Sequence, residues 1–282
     1  MAPDSYNKLA PGFREFFLAN PRRLPPLYGT SWSPAFRQPL PGGPPDVGAE
    51  PPIPVGSQRI IDLGNFSVQV MVPDVDYRLA PEHPYPAAVN DSWNSLLWLH
   101  TDGAEQLGID TDRIALVGSS AGGNLAAVIA QRASMNFPRV PIRLQVLVVP
   151  VVDASHTEDR ASWTQSMIEY ETDFPLPVLD SFWLRDRYLP NPEDWKKPEA
   201  SPIYQEDPAA FEGTPSTLIV VAELDSLRND GELYAQVLEK FSVPVTVKLV
   251  KGLTHMGVKA DRVCEAARDF RDYLVGFFKD NL

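Results

Sequence analysis

The 282-residue chain is short of several things at once: it has one cysteine, four histidines, and 25 Lys+Arg against 37 Asp+Glu, for a formal net charge of −12. A lone cysteine, Cys264, cannot close an internal disulfide, and its place in a helical pattern marks it as a small core residue. The acidic balance lacks the basic patch that a nucleic-acid binder needs and disfavours an anionic membrane surface, so neither is an expected partner. No apolar run is long enough for a membrane span, and the opening MAPDSYNKLAPGF has no basic stretch followed by an apolar one. No signal peptide is expected, and cytoplasmic localisation is the default expectation. What remains is ample for a large core, since 44% of the residues are apolar and 22% charged.

Periodicity divides the chain. Leu9, Phe13, Phe16 and Phe17 fall at helical spacing within residues 5–20, interrupted by Pro11. Residues 25–56 hold ten prolines and five glycines and read as a loop or linker. RIIDL (59–63) and FSVQVMV (66–72) read as strands, and a helix carrying Val89, Trp93, Leu96, Leu97 and His100 on one face follows Pro86. A strand at 113–117 leads into a helix at 123–134, and IRLQVLVV (142–149) is apolar enough for burial on both faces. Residues 155–212 are aromatic- and proline-rich. TLIVVA (217–222) and VTVKLV (245–250) are strands flanking a helix at 229–241, and a last helix is expected at 258–279. Strands alternating with helices imply a mostly parallel sheet with helices on both faces.

Within this pattern, RIALVGSSAGGNLAAVIA (113–130) places Ser120 between a strand and a helix in a Gly-x-Ser-x-Gly turn, with Gly118 and Gly122 as the glycines. An alcohol becomes a nucleophile only beside a base that a third group orients, and small residues permit the sharp turn that exposes it. The partners should follow in the order acid, then histidine, after later strands. Asp225 lies just beyond the strand 217–222, with Glu223 and Asp230 as competitors, and His255 lies in the loop after 245–250. Glu223 would face away if the strand persists, and Asp230 reads as a first-turn acid that suits the helix dipole. His83 and His156 lie in loops out of order, and His100 sits on a helix.

With these residues in view, the chain resembles the hormone-sensitive-lipase-like (GDSAG-type) carboxylesterases of the α/β-hydrolases. The resemblance is carried by VDYRLAPEHPYPAA (75–88), GSSAGGN (118–124), AELDSLRNDG (222–231) and KGLTHMG (251–257). Three small departures are Ser119 for Asp, Ser226 for Pro and Met256 for Gly. The resemblance implies an α/β-hydrolase fold with a helical cap, a cofactor-free and metal-free site, and a small-molecule ester as substrate. It implies Ser120 as nucleophile, His255 as base, Asp225 as its orienter and the Ala121 N–H as an oxyanion donor. It also implies that Tyr77–Pro86 is structural and that His83 is not catalytic. The organisation expected is an N-terminal helix and Pro/Gly-rich loop over 1–58, associated with the cap. An α/β-hydrolase domain follows over 59–282, with the cap inserted at about 155–212.

The large departure is the absence of the family's His-Gly-Gly-Gly loop, which supplies the other oxyanion donors. FSVQVMVPD resembles the family's second strand and runs straight into the end of the fourth, so a block of about fifty residues is expected to be missing between Asp74 and Val75. The central sheet should therefore be incomplete. Gly42 and Gly43 are the nearest adjacent pair of glycines upstream, but no strand precedes them. Three readings stay open. One is a serine carboxylesterase for small acyl or acetyl esters, including a secondary-metabolite (polyketide) ester, with Trp163, Tyr170, Phe174, Phe182, Trp183 and Tyr188 either lining a pocket or packing the cap. Another is a catalytically impaired relative acting as a binding protein. The third is a truncated gene product descended from an active esterase.

Overall fold

The computed structural model describes residues 3–20, 26–38, 46–50, 58–62, 67–71, 75–172 and 176–282. Phe174, Gly42, Gly43 and Asp74, singled out above, lie outside them. The first amphipathic stretch forms two helices, α1 (Pro3–Lys8) and α2 (Pro11–Ala19), where the spacing predicts one. Pro11 is the reason. Its ring has no N–H to donate and suits the first turn of a new helix, while Ala10 before it is held extended at φ −56°, ψ 139°.

Two strands, β1 (Gln58–Asp62) and β2 (Ser67–Met71), pair antiparallel as a two-stranded sheet of their own. Then come α3 (Ala87–Leu99), α4 (Asp102–Leu107), β3 (Ala115–Ser119), α5 (Ala121–Met135) and β4 (Leu144–Val148). Among the described residues, the long crossover after β4 carries the short helices α6 (Gln165–Glu169) and α7 (Val178–Tyr188) among 3-10 turns. The chain closes with β5 (Thr217–Leu224), α8 (Arg228–Lys240), β6 (Val245–Thr254) and α9 (Glu265–Asn281). Helix α9 starts seven residues later than its periodicity suggests. Gly257–Lys259 form a 3-10 turn instead, and Cys264, extended at φ −130°, ψ 127°, precedes the helix as a buried free thiol.

Strands β3-β4-β5-β6 lie in that order, all parallel. Helices cover both faces, and β5 shows why the sheet needs them. Leu218, Val220 and Ala222 join a core with Phe13, Phe17, Ala267 and Phe270, on the side of α2 and α9. Ile219 and Val221 join another with Ala127, Tyr234 and Leu238, on the side of α5 and α8. Side chains alternate across a strand, so a strand buried on both faces must be apolar throughout. The two edge strands are the exceptions. Among the described strands β3 pairs only with β4 and β6 only with β5; Val117 at the centre of β3 is 56% exposed, and Val247 and Leu249 of β6 are 43% and 40% exposed. The four-stranded sheet is thus open at β3, as the sequence leads one to expect, and the β1–β2 pair does not extend it.

Candidate active site

Strand β3 delivers Ser120 directly to α5. Ser120 has φ 57° and ψ −119°, a left-handed backbone that an L-residue other than glycine adopts at a cost of about 1–3 kcal/mol. The surrounding bonds hold it there. Its N–H donates to the Val148 carbonyl at 2.9 Å, and its carbonyl accepts from Asn124 N at 3.1 Å and Val151 N at 3.4 Å. The turn is tight enough to demand glycine at two places. A Cβ on Gly118 would stand 2.0 Å from the Gly122 carbonyl oxygen, and one on Gly123 would stand 2.9 Å from Pro150 Cβ. Gly122, the motif's second glycine, has no described atom within 4 Å of such a Cβ.

Three of the residues named from the sequence meet. The Ser120 hydroxyl lies 2.9 Å from His255 Nε2, and His255 Nδ1 lies 2.8 Å from Asp225 Oδ2. Asp225 is 2% and His255 6% exposed. The other carboxylate oxygen of Asp225 accepts the N–H of Leu227 at 3.0 Å, which fixes the acid against its own turn. Such a row lets the imidazole take the hydroxyl proton while the carboxylate holds the ring and stabilises its charge. Ala121 is the first residue of α5 and precedes the first helical N–H···O bond, so its N–H has no acceptor within the helix and is available to an anion beside Ser120.

The competing residues have other employments. Glu223 Oε2 accepts the Gly252 N–H at 2.7 Å, bracing β6. Asp230 does more than complement the α8 dipole. It is 1% exposed, and its Oδ2 accepts the N–H groups of Val152 and Asp153. His156 Nδ1 meets the Ser162 carbonyl, and His100 ends α3, its imidazole pKa lowered by burial. The acid turn has a clamp that periodicity does not reveal. Ser166 on α6, fully buried, donates its hydroxyl to the Ser226 carbonyl at 2.8 Å and its N–H to Asn229 Oδ1 at 2.7 Å, and accepts the Asn229 N–H at 3.1 Å. Both residues lie in polar stretches, SWTQS and DSLRND, so nothing in the sequence marks them out.

The described aromatics of the crossover make packing contacts with one another and with neighbouring elements. Trp163 meets Phe182 edge-on at 6.1 Å, Trp183 donates its indole N–H to the Thr30 carbonyl under the Arg187 guanidinium, and Tyr170 joins the α2–α9 core. Tyr188 stands edge-on to Tyr85, whose N–H donates to the Tyr188 carbonyl at 2.8 Å. Arg78 and Asp91 form a bidentate pair just upstream. The 77–86 stretch is therefore tied to the α3–α5 cluster, where Tyr77 and Tyr85 also pack.

A family model described as alpha/beta hydrolase fold matches residues 61–258. An AB hydrolase superfamily protein of Schizosaccharomyces pombe is 40% identical over 202 residues, 70% of this chain and 57% of its own length. A carboxylesterase of Mycobacterium tuberculosis is 36% identical over 206 residues, 71% of this chain and 60% of its own. The hyperthermophilic esterase of the archaeon Pyrobaculum calidifontis superposes with a TM-score of 0.66 at 34% identity, covering 73% of this chain and 63% of that one. The chain thus spans less than two thirds of the length of these relatives. No described helix is long and apolar enough to cross a membrane.

Proposed function

The chain belongs to the alpha/beta hydrolase fold family, and on that premise we propose that it is a serine carboxylesterase acting on small acyl esters. The observation that carries this reading is the unbroken row Ser120 Oγ–His255 Nε2, His255 Nδ1–Asp225 Oδ2, at 2.9 and 2.8 Å. Ser120 attacks the ester carbonyl as His255 removes its proton, and the imidazolium formed is stabilised by Asp225 and then protonates the departing alcohol. Water, activated by the same imidazole, releases the acid. Ala121 N–H donates to the oxyanion of each tetrahedral intermediate.

The electrostatic equipment is half complete, because no His-Gly-Gly-Gly loop adds further donors. Loss of one such donor costs about 2.7–4 kcal/mol of transition-state stabilisation, so the turnover proposed is weak. Esters of short acids, acetyl esters of small secondary metabolites among them, are the substrates proposed. The test is hydrolysis of p-nitrophenyl acetate, butyrate and a long-chain ester by the purified chain and by Ser120→Ala. Ser120→Ala is expected to lose about 10³-fold or more in kcat, and the short esters to be preferred. Equal turnover by Ser120→Ala would place the activity elsewhere. A folded chain that binds an ester and never cleaves it would favour the binding-protein reading.

A further inference from the structure

We propose that Asp230 is a positioning residue for the Ser120–His255–Asp225 row: its buried carboxyl grips the loop leaving β4, and through that loop the backbone of Ser120, with a hold that changes when it gains or loses a proton. The role in turnover rests on the esterase reading above; the grip and its proton dependence do not.

The geometry is a short chain of bonds. Asp230 Oδ2 accepts Val152 N at 3.0 Å and Asp153 N at 3.2 Å. One residue upstream, Val151 N reaches the Ser120 carbonyl at 3.4 Å, and Val151 O accepts Asn124 Nδ2 at 2.9 Å. The loop is thus held by α8 on one side and by the start of α5 on the other. It enters this grip through Val149, which has φ 43°. Helix α8 cannot slide closer to tighten the contact. It lies so near β5 that a Cβ on Gly231 would be 2.6 Å from Val221 Cγ1 and 3.0 Å from Ile219 Cγ2.

The second carboxyl oxygen, Oδ1, is buried and has no hydrogen-bond partner among the described residues. An ionised carboxylate has about four acceptor positions to fill, so a bare buried oxygen favours the protonated form. The charges facing it act in the same sense. Asp153 approaches from the loop and Asp225 from the acid turn. Tyr204, from the 3-10 turn Pro202–Tyr204, faces it too, with its hydroxyl donating to Asp153 Oδ2 at 3.0 Å. Arg228, on its own helix, turns away toward Glu169 and the Glu223 carbonyl. Burial first, then Asp153 and Asp225, push the Asp230 carboxyl up to about 7, against the pull of the two backbone N–H groups.

Two consequences run in opposite directions. The folded state holds a proton that the unfolded chain releases near its ordinary carboxyl value of 3.8. The stability this supplies is therefore complete below that value and is lost as pH rises to about 7. The N–H···O bonds to Val152 and Asp153 do the reverse, strengthening as the carboxyl ionises, because bonds to a charged acceptor are the stronger ones. A group that merely filled space would show neither trend.

The test is an NMR pH titration of the isotope-labelled full chain, following the Asp230 carboxyl carbon and the amides of Ser120, Val152 and Asp153. The carboxyl is expected to titrate near 7, with the three amides moving at the same midpoint. Asp230→Asn should freeze the Val152 and Asp153 amides. In a His255→Ala background the Ser120 amide should still respond. Asp153→Asn leaves both backbone bonds in place and removes a facing charge, so it should move the midpoint to lower pH even if Asp230→Asn fails to fold. An Asp230 midpoint near an ordinary carboxyl value, or a Ser120 amide indifferent to it, overturns the proposal. In turnover, the acid limb of kcat/KM should be steeper than first order in the wild type and first order in Asp230→Asn, with kcat lowered about tenfold and KM kept. A chain that cleaves no ester defeats the esterase reading and leaves the titration to decide the grip.

Discussion

Strands β3 and β4 lie side by side in one sheet, five residues each, and their fates differ. In β4, Leu144, Val146 and Leu147 are fully buried, whereas in β3 Val117 is 56% exposed and its neighbours only half-buried. Both are rich in aliphatic side chains, so hydrophobicity alone does not separate them. What separates them is company. Strand β4 has β3 and β5 beside it, and β3 has β4 alone among the described strands. The site straddles the boundary. Asp225 leaves β5, on the finished flank of interior strands β4 and β5, while Ser120 and His255 leave the edge strands β3 and β6. The end of β6 is nonetheless buried, with Leu253 packed against Phe13 and Phe17 of α2, whereas no residue of β3 is fully buried and its far side is open among the described strands.

The comparison can be broken most directly by completing the edge. Inserting a relative's third strand, His-Gly-Gly-Gly loop and the elements up to the fourth strand between Asp74 and Val75 should raise kcat/KM on a short-chain ester by about 100-fold or more. Thermal unfolding of both chains would check that each is folded. High activity in the unmodified chain would mean that another group already completes the oxyanion hole. Next in size is a core truncation on the finished flank. Leu147→Ala in β4 should cost about 2–5 kcal/mol of stability, read from denaturant unfolding. Smallest is the same kind of change on the edge: Val117→Ala should stay within about 0.5 kcal/mol. In the completed chain Val117 would be covered, and the same substitution should then cost about 1.5 kcal/mol or more. Equal costs for Leu147→Ala and Val117→Ala in the unmodified chain would erase the contrast.

Much of this was legible in the sequence, for identifiable reasons. The parallel strands announce themselves because burial on two faces leaves them few polar positions, as in TLIVVA. The residues proposed to react are legible because such residues stand at strand ends, and Ser120, Asp225 and His255 all do. The open sheet was legible only through likeness to relatives, since nothing local in FSVQVMVPDVDYRLA marks a discontinuity. The start of α9 is not legible because Val263 stands four residues before Ala267, a helical spacing that continues across the extended Cys264. The Ser166–Asn229 clamp and the grip of Asp230 on Val152 and Asp153 stayed hidden for another reason. Their partners lie 63 and 77–78 residues away in the chain, and periodicity is silent about polar groups that find one another across the fold.

The packing of α2 against the end of β6 bears on how the chain reaches this state. Leu9, Phe13 and Phe17 are buried with Leu253, Val258 and Cys264, and Ala10 N donates to the Gly252 carbonyl at 2.8 Å. The fit is close: Gly252, at φ 70°, leaves 2.7 Å between a would-be Cβ and Ala10 N. On the ribosome, α2 is made early and its seat late. Its phenylalanine face must wait, uncovered, while almost all the intervening sequence is synthesised, and closing so distant a contact is slow. During that interval α2 is a target for chaperones and proteases and a seed for aggregation. The loop that carries His255 gains this support only once β6 has been made and α2 has docked against its end.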